Sequence, residues 1–175
     1  LYLRHQLGRM KTKLISGGLG RRSGTDRPSN SLFVASGSGL VGPRYDKSVL
    51  LPFGEYFPGA SWFPGLREKF PEIGELAAGP GPSVIAVDGV NVGAQICYEG
   101  LFDWFSRKLA NDGAQVLVNI TNDSWFGSVS QPYQHAYMTF ARAIEVRRPL
   151  IRATNSGISA AILGDGRILP LSPLF

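Results

Sequence analysis

Apolar residues occur along this chain in short blocks punctuated by glycine, and the spacing within each block predicts an element. Leu1 to Lys13 reads as the end of a basic helix, and Leu14-Ile15-Ser16-Gly17-Gly18 as a short buried strand closing in glycine. Gly20 to Asn30 is a polar loop, Ser31 to Ser36 a second strand, and Gly37 to Gly42 a turn. Between Pro52 and Pro82 lie six prolines and six glycines, which predicts a long irregular excursion with at most a short helix around Leu66 to Phe70. Val84 to Val87 and Val90 to Ile96 flank Asp88-Gly89, the dipeptide that suits a two-residue hairpin. Leu101, Phe102, Phe105 and Leu109 share a helical face that ends at Asn111-Asp112-Gly113. Val116 to Ile120 is a buried strand. Tyr133, Tyr137, Phe140 and Ile144 mark an amphipathic helix that stops before Pro149, and Leu150 to Ala153 and Ile158 to Leu163 form a last pair of strands closed by Gly164-Asp165-Gly166. Strands and helices alternate, so the predicted class is α/β.

At 175 residues the chain is long enough to bury a core without disulfides, and its single Cys excludes an internal one. His5 and His135 have no Cys neighbours at ligand spacing, so neither a metal nor any other cofactor is expected. Residues 1–47 carry 9 Lys/Arg against Asp26 and Asp46, a net of +7, whereas residues 48–175 carry 9 against 11, a net of −2. The basic charges are scattered singly, with few aromatics between them, which suits a solvated surface better than a nucleic-acid site. No apolar run reaches the ~18 residues that cross a bilayer. The chain opens at Leu1, and its first Met is Met10. It is expected to be a piece of a longer protein.

Chemistry concentrates at Gln95-Ile96-Cys97-Tyr98-Glu99-Gly100, where a strand gives way to a helix. A side chain at that junction faces a pocket with helix N–H groups nearby, which favour a thiolate. A lone Cys after an apolar strand also suits a small buried hydrophobe, so its neighbours decide. Glu99, two residues on, falls on the same side as Cys97 in an extended segment, and a buried carboxylate calls for a cation. Lys47, ahead of the apolar stretch Val49-Leu50-Leu51, is the candidate, with Glu55 eight residues later. The bland alternative makes Lys47 a solvated loop lysine and Glu55 a surface carboxylate. An ammonium beside the sulfur would favour the thiolate and stabilise the oxyanion of a tetrahedral intermediate.

Four segments carry a resemblance: Leu51-Pro52-Phe53-Gly54-Glu55-Tyr56-Phe57-Pro58, Ile96-Cys97-Tyr98-Glu99, Asn119-Ile120-Thr121-Asn122-Asp123-Ser124-Trp125-Phe126-Gly127 and Arg152-Ala153-Thr154-Asn155-Ser156-Gly157-Ile158-Ser159. In order and content they resemble the nitrilase-type domain of the bacterial apolipoprotein N-acyltransferases, from about Leu14 to the end. The resemblance implies an α-β-β-α sandwich, incomplete at both ends, that forms a single partial domain over residues 1–175 and lacks the family's membrane helices. It implies a Glu-Lys-Cys triad in which Cys97 takes an acyl chain from a phospholipid donor as a thioester. The amine of a diacylglyceryl-lipoprotein acceptor then removes it. Lys47 matches the triad lysine, Glu55 and Glu99 the supporting carboxylates, and Tyr98 the residue after the nucleophile. The parent would sit in the bacterial cytoplasmic membrane with its site on the outer, periplasmic face.

The family's general-base glutamate lies before the triad lysine, and this chain has no Glu before Glu55. The 175-residue chain alone is therefore expected to be inactive. Trp125 and Phe126 fit either core or the apolar floor of an acyl-binding site, with Asn122 and Asp123 favouring an exposed loop. The aromatic run Tyr56 to Phe63, with Phe57 and Trp62, fits a flap that dips into lipid at the membrane surface. His135 is expected to be a helix-surface or packing residue, and Arg142, Arg147 and Arg148 a polar helix face and end. Two other readings stay open, a soluble nitrilase-type amidohydrolase in which water replaces the amine, and a degenerate domain kept for binding.

Overall fold

The computed structural model describes residues 2–21, 24–40, 42–59, 65, 69–70, 74–126 and 130–169. Helix α1 (Tyr2–Met10) leads into β1 (Leu14–Arg21), which pairs antiparallel with β2 (Pro28–Ser36) along its whole length. Both β3 (Gly39–Leu40) and β4 (Tyr45–Asp46) pair with β2, completing a four-stranded sheet. The expected strand and loop boundaries shift here. β1 runs on through Arg21 and β2 begins at Pro28, so the predicted loop from Gly20 to Asn30 shrinks. β1 is also largely exposed rather than buried, because it is the end strand in the sheet order.

The second sheet has the order β5 (Val84–Val87), β6 (Val90–Ile96), β7 (Val116–Thr121), β8 (Leu150–Thr154), β9 (Ala160–Ile162). Asp88 and Gly89 both take positive φ, 49° and 82°, as the predicted two-residue hairpin requires. β6, β7 and β8 run parallel, joined by α2 (Asp103–Asn111) and α3 (Gln131–Val146). Helices α2 and α3 pack on this sheet and α1 packs on β2, giving a helix–sheet–sheet–helix layering. One core runs between the sheets, from Leu32, Val34 and Tyr45 to Val92, Ala94, Ile96, Val118 and Ile120.

Two expected helical faces differ. Leu101 and Phe102 precede α2, because Cys97–Leu101 forms a separate tight turn with Phe102 at the helix cap. Of the face expected on α3, Tyr133, Tyr137 and Ile144 are exposed and only Phe140 is buried, together with Pro132, His135, Ala136, Thr139 and Ala143. Small side chains let the helix approach its neighbours closely, so the buried stripe follows alanine and threonine with Phe140, and the two tyrosines face outward. Most of the helix expected at Leu66 to Phe70 lies outside the described residues, as do Trp62 and Phe63 of the expected flap. Among the described residues, no helix is long and apolar enough to cross a membrane.

Candidate active site

Parallel strands gather their carboxyl ends at one edge of the sheet, where open α/β sheets bind ligands. Here those ends deliver Cys97 after β6, the Asn122–Trp125 loop after β7 and Asn155 after β8. Cys97 takes a left-handed φ of 51° as β6 turns sharply into the Cys97–Leu101 turn. A non-glycine residue held there stores about 1–3 kcal/mol of strain, which persists only where the surroundings impose it. The thiol is half-buried and unpaired with any other sulfur.

Glu99 is fully buried one turn-step further on. Its Oε2 accepts the Ile96 N–H at 2.8 Å. Its Oε1 accepts from the Tyr45 hydroxyl at 2.7 Å, the Ser48 N–H at 2.7 Å, the Ser48 hydroxyl at 3.1 Å and the Val49 N–H at 3.0 Å. Burial pushes this carboxyl above its ordinary value, and the Tyr45, Val49, Ile96 and Ser48 donors pull it back only in part. The expectation of a cation at Glu99 is thus corrected: neutral donors surround it. Because the chain turns at Cys97, Glu99 does not follow the cysteine along an extended strand. Instead, this carboxylate ties the residue before Cys97 to the two residues after Lys47.

Lys47 is 1% exposed, so it is no solvated loop lysine. Its Nζ donates to Glu55 Oε2 at 2.6 Å, and that oxygen also accepts the Leu51 N–H at 2.8 Å. Glu55 Oε1 accepts from Asn30 Nδ2 at 3.1 Å. The lysine backbone is fixed on both sides, with its N–H donating to Asn30 O at 2.8 Å and its carbonyl accepting the Gly79 N–H at 2.7 Å. The irregular excursion therefore docks beside the site through Glu55 and Gly79. An added Cβ at Gly79 would overlap the Asp46 carbonyl, so only glycine permits this approach.

Tyr98 is half-buried and meets the Phe102 ring edge-on at 4.9 Å. Trp125 is 84% exposed in the turn after β7, which excludes ordinary core. Phe126 closes the same turn, and its side chain lies outside the described ones. Asp123, expected on an exposed loop with Asn122, is fully buried; only Asn122 is exposed. Asp123 belongs to a polar cluster that the pattern reading missed. Arg152 Nη2 donates to Asp123 Oδ2 at 2.8 Å, and Arg152 Nη1 donates to Asn119 Oδ1 at 2.6 Å. His135, buried as a packing residue, places Nδ1 2.9 Å from Asp123 Oδ1. Burial alone would raise Asp123, but the His135 hydrogen bond and the Arg152 charge win and hold it below the ordinary carboxylate range. The available signal was a single polar residue in the middle of each apolar strand, Asn119 in β7 and Arg152 in β8.

Among the described residues, no group of His, Cys, Asp and Glu could hold a metal ion. The family model described as carbon-nitrogen hydrolase matches residues 2–175. An apolipoprotein N-acyltransferase from Bdellovibrio bacteriovorus is 51% identical over 151 residues, covering 83% of this chain and 27% of that one. One from Geobacter metallireducens is 45% identical over 148 residues, covering 83% of this chain and 28% of that one. One from Brucella suis is 38% identical over 163 residues, covering 89% and 30% respectively. This chain thus spans between a quarter and a third of the length of these relatives. Among solved structures, the NitN amidase from Nesterenkonia sp. AN1 superposes with a TM-score of 0.70 at 19% identity, over 99% of this chain and 63% of that one. A variant of that amidase with the acetamide moiety of fluoroacetamide added covalently at its active-site cysteine gives a TM-score of 0.71 at 18% identity, over 99% and 62%.

Proposed function

The chain belongs to the carbon-nitrogen hydrolase family, and from that premise we propose that it carries the nucleophile, the lysine and two supporting carboxylates of a protein that N-acylates lipoproteins. The observation that carries this reading is the Glu99 carboxylate, which binds Ile96 before the cysteine and Ser48 and Val49 after the lysine. In the first half-reaction the Cys97 thiolate attacks the ester carbonyl of a phospholipid. The tetrahedral oxyanion is stabilised by the Lys47 ammonium, which Glu55 orients. Collapse breaks the ester C–O bond, the lysophospholipid hydroxyl leaves with a proton, and a thioester remains on sulfur. In the second, the free α-amine of a diacylglyceryl-lipoprotein attacks that carbonyl, loses its proton to a base and expels the thiolate. Tyr98 and Trp125 offer apolar surface on which an acyl chain would lie, and Phe126, the residue after Trp125, is assigned to the same role.

The base for these proton transfers is not one of the carboxylates ahead of Lys47 in this chain. Asp26 sits exposed between β1 and β2, and Asp46 is engaged by Arg44 and Ser31. We assign it to a glutamate supplied from outside these 175 residues, which makes the chain alone inactive in turnover. The site would face the outer side of the bacterial cytoplasmic membrane, where both substrates lie. The names of the curated relatives favour this over the amidohydrolase reading. Incubating the intact protein with phospholipid vesicles and mapping peptides by mass spectrometry tests it. The expected result is an acyl adduct on the Cys97 peptide, absent in Cys97→Ala, that a diacylglyceryl peptide discharges as an amide. No adduct, or discharge only to free fatty acid, overturns the acyltransferase reading.

A further inference from the structure

The Arg152 guanidinium sits in the middle of β8, 1% exposed, where an apolar residue would serve a strand core more cheaply. Its Nε has no partner among the described residues, so its burial is not fully offset. What its other nitrogens hold gives the reason. On β7, Asn119 is the register partner of Arg152. Arg152 Nη1 donates to Asn119 Oδ1 at 2.6 Å, and Asn119 Nδ2 donates to the Cys97 carbonyl at 3.2 Å. The arginine can only donate and the carbonyl can only accept, so the amide between them has one possible orientation. Arg152 is itself aimed by Asp123 at 2.8 Å and by Thr139 Oγ1 at 3.3 Å.

Resting on the acyl-transfer reading of Cys97, we propose that Arg152 and Asn119 are positioning residues that fix the strained Cys97 peptide and so aim its sulfur. The carbonyl they hold belongs to the residue whose φ is 51°. Pinning that oxygen sets the rotation of the peptide after Cys97 and keeps the residue in its left-handed conformation. Burial lowers the arginine from its ordinary value, and the opposing influences are Asp123 and Cys97. Neither residue touches the reacting atoms, so their effect passes through Cys97 alone.

Asn119→Asp tests the relay, because it keeps the shape and an acceptor for Arg152 but has no N–H for the Cys97 carbonyl. Two readouts are made on the intact protein: iodoacetamide alkylation of the Cys97 peptide, and kcat and KM for acyl transfer. Ser106→Ala, which removes the buried Gln95 Nε2 to Ser106 Oγ bond of 2.8 Å, is the control for lost stability alone. The expected result is a fall of about 10- to 100-fold in alkylation rate and in kcat, with KM within about twofold of the parent, while Ser106→Ala retains the parent alkylation rate. Arg152→Lys is expected to lose alkylation rate in the same direction. Should Asn119→Asp fail to fold, Asn119→Ser, too short to reach the carbonyl, carries the same expectations. Alkylation by the Asn119 variant within about twofold of the parent, or an equal loss in Ser106→Ala, overturns the proposal. If the parent protein forms no acyl adduct but the Asn119 variant still slows alkylation, the acyl-transfer reading falls and the relay stands.

Discussion

At Glu99 a single oxygen takes four donors and its mate takes one. An amide in the same place keeps one acceptor oxygen and turns an NH2 group toward a donor, whichever way it is placed. Glu99→Gln should therefore lower the unfolding free energy by about 1–3 kcal/mol. The pH dependence has a definite sign. Burial raises the folded carboxyl above its ordinary value of 4.5, so between those two values the folded chain holds more protons than the unfolded one. The stability linked to Glu99 is complete below about pH 4.5 and is lost as pH rises toward the folded value. Asp123 has the opposite sign. Its folded value is lowered from 3.8, so its contribution is present above that pH and is lost as pH falls through the lower folded value. Urea unfolding at several pH values from about 4 to 8 should show the parent losing stability with rising pH relative to Glu99→Gln. Equal slopes would mean that Glu99 titrates alike in both states.

Local chemistry made some elements legible, and tertiary pairing decided the others. The β5–β6 hairpin follows from Asp88-Gly89 alone, since two successive positive φ values admit few other residues. β7, α3 and the β8–β9 pair follow from apolar blocks with clear stops. The extension of β1 was hidden because Gly17, Gly18 and Gly20 carry no side-chain pattern, and only pairing with β2 defines that strand. Cys97 and Lys47 stood out as polar residues beside apolar blocks, with Glu99 two residues and Glu55 eight residues further on. Arg152 and Asp123 did not, because their partnership depends on the register of β7 against β8 and on the turn of the following loop. On α3 the aromatics misled, since periodicity does not say which of two apolar stripes faces the sheet. Ala136 is fully buried, so Ala136→Leu should cost about 1–3 kcal/mol through overpacking. Tyr133→Gln, on the exposed stripe, should change stability by less than about 0.5 kcal/mol. Denaturant midpoints of the two variants check this assignment, and a reversal of the two effects would exchange the buried and exposed faces.

Across the whole molecule, the site exists only where the two sheets meet. Lys47 leaves the first sheet directly after β4, and Cys97 leaves the second directly after β6. Tyr45, on β4, spans the junction, with its hydroxyl donating to Glu99 at 2.7 Å. Burial, with Glu99 close by, raises this phenol above its ordinary value of 10.0, so it remains a protonated donor where an exposed tyrosine would ionise. Tyr45→Phe keeps the ring in the core but removes that donor from a buried carboxyl. It should cost about 1.5–3 kcal/mol, the range for hydrogen bonds to charged groups. It should also slow alkylation of Cys97, because the cysteine turn loses an anchor to the sheet that carries the lysine. Alkaline conditions supply a sharper test. The unfolded phenol loses its proton near pH 10 while the folded one keeps it, so the stability linked to Tyr45 is complete below about pH 10 and is lost as pH rises beyond it. Urea unfolding at about pH 8, 10 and 11 should therefore show the parent losing stability more steeply than Tyr45→Phe above pH 10. Identical alkaline slopes would mean that the phenol is not held as a buried donor, and the two sheets would then need another explanation for their alignment at the cysteine.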